Sequence, residues 1–281
     1  MVNNEVNDEW SQVLEPTSNP FKFNFRELWH YRDLIILFVK RDFVAVYKQT
    51  VLGPVWHFIQ PLFTTAVYAF FGGLAGLPTD GIPRILFILT GVVLWNYFSS
   101  CLTKTSNTFV GNSHIFGKVY FPRLAIPISV IVSNLMSFFI QLLLIVPFLI
   151  YHHSLVHPNI FLLALPFLVI IIAMMGLGFG VIVSSLTIKY RDLVYLISFG
   201  VQLAMYAAPV IYPLSFLHGK IRFVANLNPL TPVIEVFRYA ILGKGTFTIE
   251  SVSYSVIFAF AVMTIGIVLF NNAEKDFMDT V

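Results

Sequence analysis

The chain has 281 residues, of which 57% are apolar, 16% aromatic and only 11% charged, with a formal net charge of +3. So few polar side chains cannot cover a soluble globule, and lipid has to be part of the solvent. The 17 Lys and Arg are dispersed among apolar runs instead of gathering on one basic face, which argues against a nucleic-acid partner.

Residues 1–22 are polar, contain Pro16 and Pro20 and show no apolar period, which predicts a disordered cytoplasmic tail. They have neither the basic start nor the apolar stretch of a secretory signal, so insertion is expected to begin with the first span. Over 23–52, Phe25, Leu28, Trp29, Ile35, Ile36, Val39, Phe43 and Val46 recur at helical spacing, with Arg26, Asp33, Lys40, Arg41 and Lys48 largely between them, and Arg32, Asp33, Lys40, Arg41 and Asp42 are candidate contacts for a partner. That pattern predicts an amphipathic interface helix lying on the membrane surface. Gly53-Pro54 breaks it, and a transmembrane domain is expected over 53–281.

The fold class read from the sequence is an all-α polytopic membrane protein with six spans, at about 55–75, 85–103, 128–151, 160–187, 193–212 and 251–270. The basis is length: a hydrocarbon core of about 30 Å needs about 20 apolar residues per helix. Between the second and third spans, 112–123 is too polar to cross lipid and too patterned for a linker. It is a candidate coupling segment, with His114, Ile115, Phe116, Lys118, Tyr120, Phe121 and Arg123 as its contact residues. The apolar members would fill a cleft in a partner, and Lys118 and Arg123 would meet acids on the rim. Gly176-Leu177-Gly178-Phe179-Gly180 lies mid-span with no preceding strand and is read as close helix packing, not a nucleotide loop. Between the fifth and sixth spans, 214–244 is interrupted by Pro229 and Pro232 and carries Asn228, Glu235 and Arg238, which predicts two short re-entrant helices in the outer leaflet. With these spans, twelve Lys and Arg share the side of the N-terminus and five lie opposite, so both termini are expected in the cytoplasm.

Catalytic and cofactor motifs are missing: there is no phosphate-binding loop ending in Gly-Lys-Ser/Thr, no His-Glu-x-x-His and no Gly-x-Ser-x-Gly. The chain is therefore expected to be no enzyme and to hold no cofactor or metal. His152, His153 and His157 read as loop histidines, and Cys101 as an inert buried thiol. The spans are essentially free of charge, which argues against ion coupling and for a cytoplasmic motor partner. Tyr68, Tyr97, Tyr206 and Tyr212 are candidate rings for a sugar conduit, with packing or an interfacial belt as the other reading.

The chain resembles the polysaccharide and polyol-phosphate export permeases of ATP-binding cassette exporters, the ABC-2 type. The resemblance rests on Leu28-Trp29-His30-Tyr31-Arg32-Asp33-Leu34, Lys40-Arg41-Asp42, Tyr47-Lys48-Gln49-Thr50-Val51-Leu52-Gly53-Pro54-Val55-Trp56 and Gln60-Pro61-Leu62. Val119-Tyr120-Phe121-Pro122-Arg123-Leu124-Ala125-Ile126-Pro127-Ile128-Ser129, Lys189-Tyr190-Arg191-Asp192, and Asn228-Pro229-Leu230-Thr231-Pro232 with Glu235 and Arg238 extend it. It implies a homodimer in the inner membrane on two cytoplasmic ATPase subunits, which would hold ATP and Mg. The implied cargo is lipid-linked O-antigen, capsular polysaccharide or teichoic acid. Two other readings stay open: a permease for small lipids or drugs, and an intramembrane enzyme that modifies glycolipid.

Overall fold

The computed structural model describes residues 25–48, 53–116, 121–155, 157–190 and 192–278. The expected tail, 1–22, and two of the coupling residues, Lys118 and Tyr120, lie outside the described residues. Among the described residues there are twelve α-helices and no strand. They are α1 (Phe25–His30), α2 (Arg32–Lys48), α3 (Trp56–Leu74), α4 (Arg84–Ser106), α5 (Thr108–Phe116) and α6 (Ala125–Leu143). The others are α7 (Ile145–Tyr151), α8 (Leu165–Thr187), α9 (Leu193–Ala207), α10 (Gly219–Leu227), α11 (Leu230–Leu242) and α12 (Ile249–Met278).

Four helical stretches are long and apolar enough to cross a membrane: Arg84–Ser106, Ala125–Tyr151, Ile160–Thr187 and Ile249–Ala273. They coincide with the second, third, fourth and sixth expected spans. The other two differ for a local reason. α3 has the length, but His57, Gln60 and Pro61 dilute its first turns. α9 has 15 residues, a rise of about 22 Å against a core of about 30 Å. The third span is interrupted at Leu144, between α6 and α7. Pro147 has no N–H to give to the carbonyl of Leu143, so the helical ladder breaks there and the turn tightens, with the Leu144 N–H donating to the Gln141 carbonyl at 3.1 Å.

Burial decides which helix is central. From Leu86 to Phe98 every residue of α4 except Asn96 is buried, the signature of a helix enclosed on all sides. α8 packs against α4 and α12 with no room for side chains between the backbones. A Cβ on Gly176 would lie 2.6 Å from the Cβ of Cys101, and one on Gly180 2.5 Å from that of Thr105. A Cβ on Gly178 would lie 2.8 Å from the Met263 nitrogen of α12, so the alternate glycines serve opposite neighbours. The glycine run is therefore a packing device. By contrast α3 buries only Pro61, Thr65 and Gly72, and α9 only Val201 and Met205, so both are peripheral. A second apolar core joins Leu28 and Phe38 of α1–α2 to Phe109, Phe116, Phe121, Ile126, Val181 and Phe270.

Candidate functional site

The segment expected to be re-entrant has the most built polar site. Its turn is made by Asn228, whose Oδ1 accepts from the Leu230 N–H at 3.0 Å while its carbonyl accepts from the Thr231 N–H at 3.0 Å. The Thr231 hydroxyl donates to the Ala225 carbonyl at 2.7 Å, so α10 and α11 are locked around Asn228-Pro229. Gly243, at φ +74°, terminates α11 in the left-handed region, where a Cβ would be strained.

Twelve of the thirteen α11 residues are buried. α10 buries only Ala225 and exposes Ile221, Phe223, Val224 and Leu227. α10 thus presents an amphipathic surface, while α11 is enclosed on nearly every side by its own chain.

Inside that core Arg238 and Glu235 form an ion pair, Nη1 to Oε1 at 3.2 Å, with side chains 1% and 3% exposed. Arg238 Nη2 donates to the carbonyls of Val210 at 2.7 Å and Phe87 at 3.4 Å, and the guanidinium lies 3.8 Å over the Phe87 ring. Glu235 Oε2 accepts from the Thr246 N–H at 2.9 Å. The helix α11, the start of α4, the segment after α9 and the approach to α12 therefore converge on one charge pair. Burial lowers the Arg238 pKa to about 10 and the Glu235 carboxylate opposes that shift, so the guanidinium stays charged at neutral pH. In the sequence reading Glu235 and Arg238 share one segment and are not paired. The spacing of three residues was the available signal, because it puts both side chains on one helix face.

Polar side chains also join α4 to α6. Lys104 belongs to α4, and its Nζ donates to Asn134 Oδ1 of α6 at 2.8 Å. Asn96 Nδ2 donates to Gln141 Oε1 at 3.3 Å, so a polar seam joins α4 to α6.

Three of the coupling residues are not on an open surface. Phe116, Phe121 and Arg123 are buried, at 5%, 4% and 4% exposure. Phe116 stacks on Phe121 at 5.8 Å between centroids, Phe121 meets Phe38 of α2 at 5.7 Å, and Arg123 lies 5.3 Å over Phe116. These rings lie in the chain's own second core. Ile115 is half-buried beside that core, and the side chain of His114 lies outside the described residues. α5 is kinked at Asn112, where φ is −121° and ψ 16°, so the coupling segment begins at a bend.

The four candidate tyrosines separate. Tyr68 and Tyr206 meet edge to face at 6.3 Å, and the Tyr212 hydroxyl donates to the Tyr206 carbonyl at 3.0 Å. These three gather where α3 meets the end of α9, on a partly exposed surface. Tyr97 is buried against Phe138 at 5.3 Å, so it packs the core. Its position in the fully enclosed α4 removes it from that group.

In the expected interface helix, Arg32, Asp33, Lys40 and Arg41 are exposed and Asp42 is half-buried, with Arg41 and Asp42 paired at 2.8 Å. Ile36, Leu37 and Val44 are exposed along the same helix.

Comparison with known proteins bears on the whole arrangement. Residues 33–242 match the model of the ABC-2 type transporter family. The chain is similar to a Klebsiella pneumoniae protein named O-antigen export system permease protein RfbA, 28% identical over 260 residues, covering 92% of this chain and 97% of the relative. A second Klebsiella pneumoniae protein of that name is 27% identical over 259 residues with the same coverage. One from Myxococcus xanthus is 28% identical over 217 residues, or 76% of this chain and 82% of the relative. The matched region runs from α2 through α11 and takes in both the buried ion pair and the stacked rings of Phe38, Phe116 and Phe121, and the chain belongs to the ABC-2 type transporter family.

Proposed function

We propose that this chain is the membrane-spanning permease of an ATP-driven exporter that carries lipid-linked, O-antigen-type surface polysaccharide across the inner membrane. The observation that carries this reading is likeness over 92% of the chain to proteins named as O-antigen export permeases. ATP and Mg are assigned to a separate ATP-binding cassette subunit, as the family implies and as the missing phosphate-binding loop requires. This chain supplies no catalytic group in that scheme. The buried Glu235, held by Arg238 and the Thr246 N–H, makes a poor acid or base for an enzyme acting on glycolipid.

The finer plan is a homodimer on two ATPase subunits, with both termini cytoplasmic, a tail over 1–22, an interface helix over 23–52 and six spans within 53–281. α3 and α9 complete the six. Their exposed apolar faces, Phe63, Val67 and Phe70 on one and Leu196, Phe199 and Leu203 on the other, suit lipid or a second copy. The partly exposed group of Tyr68, Tyr206 and Tyr212 supports a sugar-facing surface at the outer part of that face, since pyranose rings stack on aromatic ones. The interface helix, with Arg32, Asp33, Lys40, Arg41 and Asp42, and the re-entrant region, with Asn228, Pro229, Glu235 and Arg238, flank this path at its two ends.

Coupling is assigned to 112–123. The aromatic core packs Phe116 and Phe121 against residues of α2, α8 and α12, so a push by the ATPase would move those helices together. Deleting the gene and analysing surface and intracellular glycopolymer by gel tests the reading. Loss at the surface with lipid-linked polymer accumulating inside supports export; unchanged surface polymer points instead to a permease for small lipids or drugs.

A further inference from the structure

A groove of 520 Å³ runs between the N-terminal helices and the start of α6, lined by one helical stripe and two turns of a membrane-spanning helix. The stripe is Leu28, Trp29, Arg32, Ile35, Ile36, Val39 and Lys40, and the opposite wall is Ile128 and Val132. The spacing of the stripe, at steps of one and three, keeps all seven on one face of α1–α2. It extends about 18 Å along the helix.

The wall is apolar throughout, so Arg32 and Lys40 contribute aliphatic stems and carry their charges beyond the lip. Ile128 and Val132 lie about 5 and 10 Å along a span that begins at Ala125, at the depth of acyl chains. Trp29, 62% exposed, stands on the same lip, in the residue class that settles at headgroup level.

We infer that this groove is a binding site for an anionic phospholipid, with an acyl chain between α2 and α6 and the phosphate held by Arg32 and Lys40. Three features select that occupant. The lining has no acceptor for a polar ligand. The two cations flank an apolar slot, which suits a single amphiphile with a negative head. Arg32 has a weak partner in Asp33 at 3.9 Å, both exposed, and no carboxylate among the described residues pairs with Lys40, so both remain open to a phosphate.

A second copy of the chain fits less well. A two-fold contact on this face would set Arg32 and Lys40 against their own counterparts and bury like charges. The groove is formed by α1, α2 and α6, apart from the Tyr68, Tyr206 and Tyr212 surface assigned to sugar, and its occupant is inferred to be a phospholipid of the surrounding membrane. The inference rests on the proposed interfacial placement of α1–α2 and is independent of what is exported.

Native mass spectrometry of the full chain, released from detergent with equal dioleoylphosphatidylglycerol and dioleoylphosphatidylcholine, tests it without reference to transport. Phosphatidylglycerol should be retained over phosphatidylcholine by on the order of tenfold, the scale expected for two basic side chains at an anionic head. Arg32→Gln with Lys40→Gln should abolish the preference, and Val132→Trp, which fills the slot and keeps both charges, should lower retention of both lipids. Equal retention of the two lipids by the unaltered chain overturns the inference whether or not the variants fold, as does a preference that survives all three substitutions. Efficient cross-linking of Ile36→Cys between copies would assign the groove to a second copy and overturn it too.

Discussion

Removing a buried guanidinium from beside a buried carboxylate costs more than the pair contributes, because the remaining charge is left without a partner. Arg238→Met is therefore expected to destabilise the chain by about 3–5 kcal/mol, while Glu235→Gln with Arg238→Met recovers part of that loss. Thermal unfolding in detergent, compared across the two variants, reads this; a double variant worse than the single one would mean that the Glu235 carboxylate, through its bond from the Thr246 N–H, still stabilises the chain without Arg238. The glycines supply a matched pair of the opposite kind. Gly180→Ala puts a methyl 2.5 Å from Thr105 and is expected to cost about 1–3 kcal/mol by overpacking. Gly200→Ala meets no atom within 4 Å and is expected to stabilise α9 by up to about 1 kcal/mol through helix propensity. Equal melting temperatures for the two variants would deny that α8 lies against α4 as closely as the backbone shows.

Among elements, the helix that carries a side chain decides its role more than the residue type does. Tyr68 sits on the peripheral α3, Tyr206 in the last turn of the peripheral α9 and Tyr212 after it, whereas Tyr97 sits in the enclosed stretch of α4. Alanine at any of the first three is expected to lower polymer export with normal membrane insertion. Tyr97→Ala is expected to lower the amount of folded protein instead, by the few kcal/mol that truncating a buried ring removes. Quantifying surface polymer per inserted permease separates the two outcomes. The coupling segment makes a similar demand. Phe121 bridges Phe116 and Phe38, so Phe121→Ala is expected to cost about 3–5 kcal/mol and to loosen the interface helix from the bundle. Faster proteolysis near residue 40, with the membrane-embedded remainder intact, would register the loosening; a cleavage pattern like that of the unaltered chain would show α2 to be held elsewhere.

For the whole molecule, the proposed sidedness rests on charge and can be tested chemically, because the one native thiol, Cys101, is buried. A membrane-impermeant maleimide on intact spheroplasts should label Ser154→Cys and Lys220→Cys, and should reach Lys189→Cys only after permeabilisation; the reverse pattern would invert the topology. The sequence by itself determined the properties that depend on neighbours along the chain. Apolar length marked the four membrane-length helices, Asn-Pro-Leu-Thr-Pro marked the turn between α10 and α11, and the glycine run marked a close helix contact. Properties that depend on which surface meets which were decided only in three dimensions. A phenylalanine at 116 or 121 reads alike whether it fills a partner's cleft or its own chain's core, and α11 shows the periodicity of a surface helix although it is buried on nearly every side. The partners of Arg238 are carbonyls 28 and 151 residues away, which no local spacing encodes. Burying that charge is tolerable only where those distant groups converge, so the tertiary structure, not the local pattern, made the central helix and the ion pair what they are.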